Sequence, residues 1–165
     1  MTVLIDGNNL LFAARAAEES NLLIGRSMLC DRLGMWARRR HETVHVVFDG
    51  PAPAPALASQ IAHPDIHVSY SGAGVSADAT VIDILENYSA ARLFVVVTTD
   101  REIARAAKRR RAKPVRSEVF WAALKKDLAC AIPPPSEPPE KEVGLDAGAA
   151  REWLQEFGFD EEPPE

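Results

Sequence analysis

Three times along this chain a short apolar run ends at or near an aspartate. Thr2-Val3-Leu4-Ile5 gives way to Asp6, Val44 to Phe48 gives way to Asp49, and Leu93 to Val97 leads through two threonines to Asp100. Runs with apolar residues on both faces suit the inner strands of a sheet covered on both sides. Helical spacing fills the intervals. Leu10 to Ala17 is rich in Leu and Ala, and Arg26 to Arg40 repeats Met28, Leu29, Leu33, Trp36 and Ala37 on one face. Ser76-Ala77-Asp78 opens a helix to about Tyr88 with Val81, Ile82 and Leu85 inward, and Asp100 caps Arg101 to about Arg110. Ser117 is expected to cap a last helix, Glu118 to Leu128. Ile66 to Tyr70 and Pro114-Val115-Arg116 are the remaining strand candidates, the second at a sheet edge because proline brings no N–H. Asp6-Gly7-Asn8-Asn9 reads as a turn, and Pro51 to Pro55 as a loop. This alternation predicts an α/β fold with a mostly parallel sheet and helices on both faces.

The chain changes character near residue 129. Residues 1–128 carry 17 Lys and Arg against 14 Asp and Glu, whereas residues 129–165 carry 2 against 10. The overall charge of −5 therefore combines a body of +3 with a tail of −8. A three-part organisation is expected: a domain over 1–128, a proline-rich linker over 129–144, and a short amphipathic helix with an acidic tail over 145–165. The linker contains Pro133-Pro134-Pro135-Ser136-Glu137-Pro138-Pro139, a semi-rigid extended sequence. In Leu145 to Phe159, Trp153, Leu154 and Phe157 share one face. That face fits docking on its own domain or on a protein partner.

Several classes are excluded. No run approaches the roughly 20 apolar residues of a membrane helix, and Met1 to Ile5 reaches Asp6 without a basic region or long apolar core, so a cytoplasmic protein is expected. Cys30 and Cys130 stand far apart, near no second Cys or His, which predicts two reduced, buried thiols and no zinc site. There is no Gly-x-Ser-x-Gly, no phosphate-binding loop with its lysine, and no Cys–His pair. His41, His45, His63 and His67 are expected in surface or core roles.

In a parallel sheet, the site lies at the carboxyl ends of the strands. Asp6, Asp49 and Asp100 fall there, and Asp78, at a helix start after Gly72-Ala73-Gly74, shares that edge. One such aspartate is an ordinary turn or cap residue. Four on one rim repel one another, and a divalent cation relieves the repulsion. Oxygen ligands select Mg²⁺ or Mn²⁺. Such a site activates water and clamps a phosphate without a protein nucleophile.

The same residues resemble a known family. Leu4-Ile5-Asp6-Gly7-Asn8-Asn9 resembles the Asp-Gly-x-Asn opening of NYN domains, a branch of the PIN-like nucleases. Val46-Val47-Phe48-Asp49-Gly50 is similar to the second-strand motif of 5′-nuclease relatives. Gly74-Val75-Ser76-Ala77-Asp78 resembles the Gly-Glu-Thr-Ala-Asp segment of YacP-like members, and Val97-Thr98-Thr99-Asp100 their Thr-Ser-Asp. Val115-Arg116-Ser117 matches the approach to their last helix. The resemblance spans roughly residues 1–128 and implies a three-layer PIN-like fold with a five-stranded sheet. It implies an endoribonuclease in which Asp6, Asp78 and Asp100 are catalytic metal ligands and Asp49 is a further one. Asn9 and Thr99 would fix the loops beside Asp6 and Asp100 in the substrate-binding set. It also implies action on messenger RNA at the ribosome.

Two departures stand against a full acidic set. Val75 occupies the place of the family's glutamate, and Ile82 the place of another, with Asp83 one residue late. One residue turns a helical side chain by about 100°. These departures motivate an alternative: an RNA-binding or adaptor module with weak or no catalysis. For substrate contact, Arg101 and Arg105 lie one turn apart after Asp100, placed to meet RNA phosphates. No RNA-reading module is visible in the sequence, and without a helix–hairpin–helix segment or long insertion of the DNA-flap nuclease kind, single-stranded RNA is the expected substrate. A phosphatase of the haloacid-dehalogenase type is disfavoured because Asn8 stands where its second aspartate belongs. The acidic tail, with its charge of −8, could imitate RNA and occupy the cleft.

Overall fold

Five strands form one all-parallel sheet in the order β3-β2-β1-β4-β5. The computed structural model describes residues 2–18 and 24–130, which belong to one unit, Met1–Cys130. In chain order the strands are β1 (Thr2–Asp6), β2 (Thr43–Phe48), β3 (Ile66–Tyr70), β4 (Phe94–Val97) and β5 (Lys113–Val115). The helices are α1 (Gly7–Ala17), α2 (Arg26–Arg40), α3 (Pro55–Ile61), α4 (Ala77–Asn87), α5 (Arg101–Arg109) and α6 (Ser117–Ala129). Val3 pairs with Val44 on one side and Val95 on the other, so β1 is the innermost strand. β5, with Pro114 at its centre, forms the edge beyond β4.

Side chains alternate across a strand, and this alternation builds two cores. Val3, Ile5, Val46, Phe48 and Val97 point into a core closed by Leu10 of α1, Leu29 and Leu33 of α2, and Phe120, Trp121 and Leu124 of α6. Leu4, Val47 and Val96 point the other way, onto Val81 and Leu85 of α4 and Ile103, Ala106 and Ala107 of α5. This is the three-layer arrangement the strand–helix alternation predicts.

The differences from the sequence reading are local. Asp6-Gly7-Asn8-Asn9 is not a free turn: α1 begins at Gly7, directly after β1. Close packing explains the glycine, since a Cβ on Gly7 would lie 2.6 Å from the Phe48 ring. α3 follows the proline loop and has no counterpart in the sequence reading; it buries only Ile61, so its periodic signal is faint. Leu93 belongs to a 3₁₀ turn (Ala91–Leu93), and β4 starts at Phe94. Ser117 is the first residue of α6 rather than its cap; the cap position is Arg116, whose side chain makes no capping hydrogen bond. Cys30 is buried as expected, but Cys130, just beyond α6, is exposed. The proline-rich segment from Pro133 and the segment Leu145 to Phe159 lie outside the described residues.

Candidate active site at the carboxyl edge of the sheet

The parallel sheet delivers the ends of β1, β2 and β4 to one edge, and with them Asp6, Asp49 and Asp100. Each of these aspartates also meets a helix start. Asp6 is the N-cap of α1, its Oδ1 accepting from the Asn9 amide at 3.1 Å. Asp100 is the N-cap of α5, its Oδ1 accepting from the amides of Glu102 and Ile103 at 2.6 and 3.1 Å. Asp49 reaches across to α4, where its Oδ1 accepts from the Ala77 amide at 2.6 Å. The positive ends of three helices thus face the rim and offset part of its charge. Asp78, in the first turn of α4, is different: that helix is capped by Ser76, and among the described residues Asp78 accepts no hydrogen bond.

Electrostatics tie the four together. Burial pushes the Asp6 carboxyl above the usual carboxylate range and the charge of Asp78 adds to this, against hydrogen bonds from Asn9 and Thr98. Asp6 is only 3% exposed. Burial likewise raises Asp78, followed by the charges of Asp100, Asp49 and Glu102. Asp78 is therefore the hub of the cluster. Glu102 is a fifth carboxylate that the sequence reading missed; the signal available was its place two residues after Asp100, inside the first turn of α5. Asp83 takes no part: its carboxylate accepts from the Asn87 amide group at 2.7 Å along α4.

Hard carboxylate oxygens in mutual repulsion are the donor chemistry of a Mg²⁺ or Mn²⁺ site. Among the described residues, however, no three His, Cys, Asp or Glu side chains are already gathered as a ready-made cage. The aspartates form a rim whose chemistry suits a divalent cation, with much of their oxygen directed to helix amides.

Asn9 and Thr99 brace the rim. The Thr99 amide donates to Asn9 Oδ1 at 3.3 Å, and Ser117 Oγ lies 3.4 Å from the same oxygen. One side chain thereby links the starts of α1, α5 and α6. Thr98 Oγ1 stands 3.4 Å from Asp6 Oδ2 and accepts from the Asp100 amide at 3.0 Å, joining two rim residues directly.

Two cavities flank the rim. One, of about 400 Å³, lies between α5 and β5 and includes Asp100, Arg101, Lys108 and Arg116 in its walls. The other, of about 360 Å³, is lined by Asn8, Leu11, Phe12, Arg15 and Arg26. Of the two arginines expected to meet substrate, Arg101 lines the first cavity, whereas Arg105 is exposed on α5 outside it. Lys108 and Arg116 are additions to the expected set; the helical spacing of Arg101, Ala104 and Lys108 was the usable signal for the lysine.

A family model described as the YacP-like NYN domain matches residues 3–130. No curated protein matches the chain. Among solved structures, the fold is similar to a tryptophan-to-leucine mutant of Rae1 (YacP) from Bacillus subtilis, with TM-score 0.57 and 15% identity over 99% of this chain and 86% of that one. It is similar also to Rae1 (YacP) from Bacillus subtilis without that mutation, with TM-score 0.56 and 16% identity over 96% of this chain and 84% of that one. With a family model spanning nearly all the described residues and the five-stranded fold its motifs imply, the chain belongs to the YacP-like NYN domain family.

Proposed function

We propose that this protein is a divalent-metal-dependent endoribonuclease acting on single-stranded RNA. The observation that carries the proposal is the placement of Asp6, Asp49 and Asp100 at the ends of three neighbouring parallel strands, with Asp78 in the first turn of α4, whose start Asp49 binds. Membership of a family related to PIN-like nucleases supports it. Asp6, Asp78 and Asp100 would hold Mg²⁺ or Mn²⁺, with Asp49 as a further acidic ligand. A bound divalent cation supplies an activated water and neutralises charge on the phosphate. Asn9 and Thr99 hold the two loops in register around the substrate, and Arg101 and Arg105 bind RNA phosphates next to Asp100. Action on messenger RNA at the ribosome, in the cytoplasm, goes with this reading, and cosedimentation with ribosomes tests it.

The deciding experiment uses Asp78→Asn, because α4 is capped by Ser76 and the change removes the Asp78 charge without removing a helix cap. Asp78→Asn is expected to lower the cleavage rate of a labelled single-stranded RNA at least ~100-fold in Mg²⁺ or Mn²⁺, since losing even an outer partner of a metal site costs ~10–100-fold. The melting temperature should hold. A variant that still cleaves at the wild-type, metal-dependent rate overturns the proposal.

A second reading, an RNA-binding or adaptor module of the same fold, draws on two observations. No three ligand side chains are pre-gathered among the described residues, and Val75 and Ile82 stand where the family resemblance leads one to expect acids. Calorimetric titration with Mn²⁺ separates the readings: an adaptor gives no saturable heat, and a nuclease gives one that Asp78→Asn removes.

A further inference from the structure

The cavity between α5 and β5 has a composition that phosphate steering alone does not require. Arg101, Ala104 and Lys108 recur at helical spacing and present one stripe of α5 to it. Pro114 and Val115 of the edge strand, Arg116 after it, and Thr98, Thr99 and Asp100 complete the wall. Two cations thus face an apolar patch of Ala104, Pro114 and Val115. Among the described residues neither Arg101 nor Lys108 has an ion pair, while Arg116 shares its charge with Glu118 at 3.4 Å. The volume, about 400 Å³, lies at the small end of the roughly 300–1,000 Å³ of ligand sites. That is room for one nucleotide and too little for a duplex. Asp100 borders both this cavity and the rim, so a unit seated here adjoins the carboxylates.

We infer that this cavity is a nucleotide subsite, holding one nucleoside monophosphate unit of RNA beside the position of cleavage. The inference rests on the RNA reading above for its biological meaning, but not for its measurement. The phosphate lies between Arg101 and Lys108, and the base lies against Ala104, Pro114 and Val115. Apolar contact with a base face reads none of the donor and acceptor pattern on the base edge, so adenine and uracil are accepted alike.

The test is calorimetric titration of the full chain, in EDTA, with AMP, UMP, inorganic phosphate and adenosine. Both nucleotides should bind about tenfold more tightly than phosphate or nucleoside alone. Arg101→Glu and Lys108→Glu should each weaken nucleotide binding about tenfold or more. Ala104→Leu, which narrows the cavity without changing charge, should weaken it as well. Lys113→Glu, an equal charge change on β5 outside the cavity, should shift it less than about twofold. Phosphate binding as tight as AMP overturns the inference, as does equal weakening by Lys113→Glu. Both Arg101 and Lys108 are exposed, so their variants keep the test open if Ala104→Leu does not fold. Asp78→Asn separates the two proposals: it should abolish cleavage and still bind AMP. A wild-type chain that binds AMP but cuts nothing retains the subsite and loses the nuclease.

Discussion

The two flanks of the aspartate rim carry similar cations put to different use. On the α1–α2 side, Arg15 donates to the Ile24 carbonyl at 2.8 Å, and Arg26 donates to the Asp49 carbonyl at 3.3 Å. Arg26 also lies over the Phe48 ring, 4.9 Å from its centre. These guanidinium groups hold chain to chain. On the α5–β5 side, Arg101 and Lys108 have no charged partner among the described residues and face open space. The contrast follows from what lies within reach: the Ile24 and Asp49 carbonyls meet Arg15 and Arg26, and at the far end of α5 Arg109 pairs with Glu86 and Arg110 with the Leu85 and Tyr88 carbonyls, but among the described residues no such partner meets Arg101 or Lys108. Charge alone therefore does not identify a substrate-binding residue. What else the side chain already binds has to be read with it.

The sharpest way to break this contrast is to remove Arg101 and Lys108 from the cavity wall together. Arg101→Ala with Lys108→Ala should lower affinity for single-stranded RNA about tenfold or more and flatten its salt dependence, read by fluorescence anisotropy across a salt series. The melting temperature should not move. If stability falls while affinity holds, the flanks have been assigned the wrong way round.

Between the flanks sits Gly7, whose missing side chain lets α1 start against Phe48. Gly7→Ala should destabilise the fold by about 1–3 kcal/mol in urea titration, the usual cost of overpacking a core. An unchanged midpoint would mean that Phe48 moves aside freely.

Arg26→Ala should give the reverse of the double variant: about 1 kcal/mol of stability lost with its ring contact and hydrogen bond, and RNA affinity within about twofold.

A smaller effect belongs to the β2–β3 pair, away from both flanks. His45 of β2 is held down to about 4 by burial and then by the neighbouring His67. Its ring lies 4.4 Å from that of His67, and its Nε2 lies 2.8 Å from Ser69 Oγ. A histidine lowered on folding contributes stability above its ordinary value of 6.5, and that contribution is lost as pH falls towards 4. The urea midpoint should therefore drop from pH 6.5 towards 4, and His45→Gln should flatten the curve. Parallel curves would show that His45 does not titrate on unfolding.

Much of this was legible because the strongest signals were periodic. Arg26–Arg40 and Ile66–Tyr70 match their expected bounds, and the strands leading to Asp6, Asp49 and Asp100 lie where the apolar runs end. The missed pieces lack periodicity or depend on distant partners. α3 buries one residue and so leaves little pattern. The helical start at Gly7 depends on Phe48, 41 positions away in the chain. Glu102 reads locally as an acid suited to a helix start, and its tie to Asp78 appears only when α4 and α5 pack together. Spacing from Arg101 favours Arg105, but Lys108 is the residue that lies with Arg101 along the cavity wall.

On the proposed function the rim aspartates have a double duty, which bears on how a lineage of such proteins would change. Asp6, Asp49 and Asp100 each bind amides at a helix start, so selection for folding alone would keep them after catalysis had lapsed. Asp78 caps nothing and lies within the repulsion of its neighbours; folding gives little reason to retain it. In a set of relatives, the residue at this position is therefore the informative marker. Chains that keep the other three aspartates and lose this one are expected to have retained the scaffold and abandoned the chemistry.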